Sequence, residues 1–176
     1  DCVCDANGVL YVSERLAHRI VAYDATTGAQ IRVVVSGPNM SGVNSSRQPF
    51  RRNTLAMVQS QACVGPEGLF LQDGWLYFGS RAMEQVKRVN LATGQVQVVA
   101  NVLCDDNSLY MKIAVSDGSF GPRGTVFVAA WSVINYGYPQ VYLPDGRSWD
   151  YVAGSGEPGL PWGSASYPTA VTAVSY

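Results

Sequence analysis

Four cysteines, one histidine and a short acidic run carry most of the chemistry this sequence offers. Cys2 and Cys4 are one residue apart, which puts both thiols on one face of a strand. With Cys63 and Cys104 the count is even, which fits disulfides formed in an oxidising compartment; buried reduced thiols are the alternative. A zinc site is disfavoured, because C-x-C has neither the usual C-x2-C spacing nor a histidine close by. His18 is the single histidine, and its place in an HRI segment predicts a solvent-facing corner residue. Ser13, Ser80 and Ser132 lack the strand–turn–helix context of a nucleophile elbow, so no catalytic triad is assigned. Asp105-Asp106-Asn107 could offer hard oxygen ligands to Ca²⁺, but the run reads first as an exposed polar turn. No metal ligand, catalytic residue or cofactor is assigned. The G-x-G-x-x-G at Gly154–Gly159 fails as a dinucleotide fingerprint, since Pro158 and Pro161 block the helix that would receive a pyrophosphate.

The elements that would position these residues come in repeats. Asn7–Val35 reads NGVLYVSERLAHRIVAYDATTGAQIRVVV, and Asp73–Val99 reads DGWLYFGSRAMEQVKRVNLATGQVQVV. Each copy opens with a glycine turn and runs into an apolar strand. A polar corner, a second strand, an ATTG or LATG turn and a further strand follow. A divergent third copy spans Arg123–Gly156 as RGTVFVAAW, PQVYLPDGRSW and DYVAGSG. A strand candidate precedes each copy, at Cys2–Asp5, Gly68–Gln72 and Lys112–Ser116. Four short antiparallel strands over roughly 40 residues make a propeller blade, whose two faces are buried only by neighbouring blades. In LYVSE the period of two places Leu10, Val12 and Glu14 on one face, with Tyr11 and Ser13 on the other.

The expected fold is therefore all-β, a propeller of four-stranded antiparallel blades with about three blades in this chain. Blade 1 covers about 1–36, blade 2 about 63–103 and blade 3 about 104–160, and a further blade starts at 167–176. Residues 37–62 form an inserted polar loop, with a short helix expected over Thr54–Gln61. This loop holds two sequons, at Asn39 and Asn44, the pattern of a glycosylated extracellular or cell-surface protein. Cys63 and Cys104 each precede the first strand of successive blades, so they are the expected disulfide. Cys2 and Cys4 would pair with cysteines outside the chain, or with each other under strain.

Twelve basic and thirteen acidic residues leave a net charge of −1, without the basic face that a nucleic-acid partner requires. No apolar run reaches the roughly 18 residues of a membrane span. The start shows no basic-then-apolar leader and reads as the middle of a strand, so a chain beginning inside a longer protein is expected. The aromatic residues crowd the third copy. Most are assigned to the core, while Trp131, Tyr136 and Tyr138 around the loop at 132–138 form a candidate contact surface for protein or glycan.

The G-x-LYV-S strand, the HRI-x-x-YD corner, the GPEG turn at Gly65–Gly68 and the glycine-rich stretch VAGSGEPGLPWGSASYPTAV resemble NHL repeats. That propeller family is related to the SMP-30/gluconolactonase group. The resemblance implies a six-bladed ring, completed by other blades of the same polypeptide or by a second copy. Metal-dependent SMP-30-like members use inward carboxylates and asparagines. Glu14, Glu67, Asp105, Asp106, Asn107 and Asn135 match by type, but nothing fixes them at equivalent places. Lyases of this fold class use several histidines and a tyrosine on different blades, which one histidine matches poorly. The leading expectation is a non-catalytic extracellular propeller module that acts as a scaffold or a protein- or glycan-binding surface. The alternative is a metal-dependent hydrolase or lactonase of the SMP-30-like type.

Overall fold

The computed structural model describes residues 1–37, 63–80, 83–102, 110–118, 122–131 and 139–150. Among the described residues, twelve strands form three separate four-stranded sheets, each antiparallel and each a simple meander in chain order. The first sheet contains β1 (Cys2–Cys4), β2 (Val9–Glu14), β3 (Arg19–Asp24) and β4 (Gln30–Ser36). The second contains β5 (Pro66–Gln72), β6 (Trp75–Ser80), β7 (Gln85–Asn90) and β8 (Val96–Asn101). The third contains β9 (Tyr110–Val115), β10 (Val126–Trp131), β11 (Pro139–Tyr142) and β12 (Ser148–Asp150). No α-helix occurs among the described residues, and none of their helices is long and apolar enough to cross a membrane.

The repeat is visible bond by bond. In the ATTG turn, Asp24 Oδ1 accepts from the N–H groups of Thr26 and Thr27 at 2.9 and 2.7 Å. In the LATG turn, Asn90 Oδ1 accepts from Ala92 and Thr93 at 3.0 and 2.9 Å. This use of a short carboxylate or amide to organise the second and third residues after it makes Asp and Asn interchangeable there. The bonds from Thr27 and Thr26 also hold the Asp24 carboxyl below its usual range. Strand bounds differ slightly from the sequence reading. β5 begins at Pro66 and β9 at Tyr110, each two residues early, because inner-edge pairing extends past the apolar run. The fourth strand of the third sheet is described over Ser148–Asp150, and the DYVAGSG stretch beyond Asp150 lies outside the described residues.

The sheets bury their faces against each other through one rule of alternation. Leu76 and Phe78, both fully buried, join Tyr11, Ile20 and Ala22 of the first sheet in one cluster. Tyr77, between them on β6, points the other way and joins Met111, Ile113, Val126 and Val128 of the third sheet. The residues flanking each central aromatic thus face the preceding sheet, and the aromatic faces the next.

Candidate functional site

The first strands of the three sheets lie side by side, β1 near β5 and β5 near β9. Their polar residues meet at this inner edge. Asp1 accepts from the Leu69 N–H at 2.9 Å through Oδ2 and pairs with Lys112 Nζ at 2.8 Å through Oδ1. Glu67 pairs with Arg15 at 3.3 Å, and its Oε2 accepts from the Met111 N–H at 3.2 Å. Each carboxylate therefore joins all three sheets. Gly68 makes this approach practicable: it adopts φ +60°, and a Cβ there would sit 2.6 Å from the Met111 carbonyl oxygen. Only glycine meets both the left-handed backbone and the lack of room.

A second polar cluster lies at the seam between the first two sheets. The backbone at Cys63–Gly65 enters β5 between His18 of the first sheet and Ser80 of the second. Gly65 N–H donates to His18 Nδ1 at 3.0 Å. Val64 donates to Ser80 Oγ at 3.3 Å, and the Ser80 hydroxyl returns a bond to the Val64 carbonyl at 3.2 Å. His18 is only 8% exposed, so the expected solvent-facing corner is corrected. The cause is its left-handed backbone (φ 52°), which turns the imidazole onto the incoming strand. Its counterpart Glu84 has the same φ and is also buried. Gly37 N–H bonds the His18 carbonyl at 2.6 Å, and Val102 N–H bonds the Glu84 carbonyl at 2.7 Å. The only sequence signal for these buried turns was the equivalence of His18 and Glu84 in the repeat.

Burial sets the electrostatics of this seam. Desolvation lowers the His18 pKa, which keeps the ring neutral and its Nδ1 able to accept. The Cys63 thiol, wholly buried, is pushed up to about 12 by the same cause and is a poor nucleophile. Lys87 is 1% exposed, and desolvation lowers its pKa. Its Nζ lies 3.5 Å from Met83 Sδ.

The other sequence candidates scatter. Glu14 accepts from Arg19 and from the Tyr23 hydroxyl within its own sheet, bonds that lower its pKa. Cys63 is a free thiol, and Cys104, its expected disulfide partner, lies outside the described residues. Cys2 and Cys4 are free and exposed. Asn39, Asn44, Asp105, Asp106, Asn107, Asn135, Tyr136, Tyr138 and the Thr54–Gln61 helix lie outside the described residues. Trp131 ends β10. Among the described residues, no three His, Cys, Asp or Glu side chains are grouped to hold a metal ion.

This arrangement of radially packed four-stranded meanders defines a β-propeller-type protein. The chain is similar to virginiamycin B lyase from Staphylococcus aureus, with a TM-score of 0.54 at 16% identity over 96% of this chain and 43% of the lyase chain. It is likewise similar to a streptogramin B lyase, with a TM-score of 0.52 at 12% identity over 85% of this chain and 39% of the other. The chain thus spans less than half the length of either structure. At these identities the likeness shows the fold alone. No family model matches the sequence, and no curated protein matches it.

Proposed function

We propose that the chain is a scaffold and binding module of propeller type, non-catalytic in its own residues and set in an extracellular or cell-surface protein. The observation that carries this reading is the use of the inner-edge charges. Asp1, Glu67, Arg15 and Lys112 tie one sheet to the next, and the single histidine holds a strand entrance. Groups committed to architecture in this way stiffen a frame on which variable loops are displayed. The sequons at Asn39 and Asn44 support an exposed, glycosylated setting. The aromatic group Trp131, Tyr136 and Tyr138 supports a protein or glycan partner, since such rings stack on sugars and anchor interfaces. In this reading no cofactor is required, and any Ca²⁺ at Asp105–Asn107 is structural.

A second reading is catalytic, and it draws on the names of the two similar structures, both lyases. It also covers a metal-dependent lactonase. One assay separates the two readings: incubation with virginiamycin B and with a simple lactone, each with and without Mg²⁺, Mn²⁺ and Ca²⁺. The scaffold reading expects no turnover above buffer. Turnover that persists through repurification and falls with Glu67→Gln, in a variant that still folds, would overturn it.

A further inference from the structure

We propose that Arg88, braced by Trp75 and Gln97 on the second sheet, receives the carboxylate of an acidic sugar. The inference rests on the glycan-binding reading above and names the chemical class that site would take. Arg88 stands beside Tyr77 in the pairing of β6 with β7. Its guanidinium lies over the Trp75 ring, 4.2 Å from the centroid, with the Tyr77 ring at 5.8 Å. Nε and Nη2 donate to Gln97 Oε1 at 3.1 and 2.9 Å, and Nη1 donates to the Tyr77 hydroxyl at 3.2 Å. The cation is thus fixed in one plane, yet every one of these partners is neutral. Arg15, Arg19, Lys112, Arg123 and Arg147 each pair with a carboxylate, whereas Arg88 pairs with none among the described residues.

The repeat shows that the architecture does not require this group. Beside the central aromatic, where the second sheet has Arg88, the first has Ala22 and the third Val141, both buried. The first sheet also has Val9 in place of Trp75, and in place of Gln97 it has Arg32, which reaches the Leu91 carbonyl. Three positions on three strands depart together, and departures from a locally consistent pattern concentrate at functional sites. A guanidinium carries five N–H donors, so the three bonds leave two, one on each terminal nitrogen. Two such donors in one plane suit the two oxygens of a carboxylate. Because Gln97 Oε1 accepts from the arginine, its Nε2 remains a donor for the hydroxyls of a sugar ring. An acidic peptide side chain would leave that donor unused. Arg88, Trp75 and Gln97 are all half-buried, so the group is reachable yet partly shielded from water.

Nitrogen-15 NMR of the wild-type chain, titrated with sodium glucuronate at constant ionic strength, tests this. The Arg88 Nε–H and Trp75 indole signals should shift together and saturate, and glucose should leave both in place. Arg88→Lys keeps the charge but loses the planar fork, so binding should weaken about tenfold. Arg88→Met should abolish it, with unchanged signals elsewhere showing that the variant folds. Absence of saturable shifts, or undiminished binding by Arg88→Met, overturns the proposal. Equal saturation by acetate or sulfate means an adventitious ion only, and tighter binding of an acetylated Glu-Gly-Glu peptide assigns the site to a protein partner; either result overturns it as well. The scaffold reading is judged by turnover instead. A chain that binds no glucuronate and turns over neither virginiamycin B nor a lactone loses this inference and keeps that reading.

Discussion

The two seams between the sheets are built by the same alternation but closed by different means. The seam between the second and third sheets is packed almost entirely by apolar side chains, with Met111 settled against Gly79 and Gly68 at the inner edge. Beyond the Glu67 bond to the Met111 N–H at the inner edge, its polar links include Gln72, which donates to the Ser116 carbonyl at 2.9 Å, and Tyr142, which donates to the Asn101 carbonyl at 3.0 Å. The seam between the first and second sheets adds a clamped polar segment at Cys63–Gly65, held by a neutral histidine and a buried serine. Apolar shape dominates one seam, whereas the other adds a buried polar clamp that depends on a protonation state.

Removing shape should therefore cost most. Phe78→Ala empties the centre of the first seam, and a loss of about 3–5 kcal/mol is expected in urea unfolding. Gly68→Ala attacks the second seam through the backbone, by combining the left-handed φ with contact on the Met111 carbonyl. It should cost about 2–4 kcal/mol. Gly28→Ala is its control: it has a similar φ of +72° but open space around it, so about 1 kcal/mol is expected. Equal losses for the two glycines would show that strain, not close approach, governs the inner edge.

Much of this frame was legible in the sequence, because repeated strands and turns each carry a local signal. The alternation in LYVSE and WLYFGS places the buried faces, and the Asp24 and Asn90 turns are written in their own tetrapeptides. The tethers were not legible. Asp1, Glu67 and Lys112 meet only after three sheets pack, and His18 looked like a surface corner because nothing local marks its left-handed turn. The same holds for Lys87, a charge buried in the position where the first sheet has Val21. Polar residues gain their partners through tertiary packing, whereas apolar periodicity announces its own burial.

The protonation-dependent seam makes the next prediction. Burial depresses the His18 pKa below its usual value near 6.5. The unfolded chain then binds the extra proton first, so this contribution to stability is complete above that pH. It declines as the pH falls through 6.5 toward the folded value. The slope can reach at most about 1.4 kcal/mol per pH unit for one proton. His18→Asn supplies an oxygen near the place of Nδ1, tolerates the left-handed backbone and does not titrate. Urea unfolding of the variant between pH 7 and 5 should lack this component of the slope, and an unchanged slope would move the titration to another group.

The smallest effect is expected from the ion pair that crosses the second seam at its surface. Arg123 binds Asp73 through two nitrogens, at 3.1 and 2.6 Å, yet both side chains are more than half exposed. Solvent and salt screen such a pair, and holding a long arginine in place offsets part of the attraction. Arg123→Ala should therefore cost no more than about 1 kcal/mol, and less still in high salt. If its cost approached that of Phe78→Ala, the second seam would be held by charge rather than by shape, and the contrast between the seams would fail.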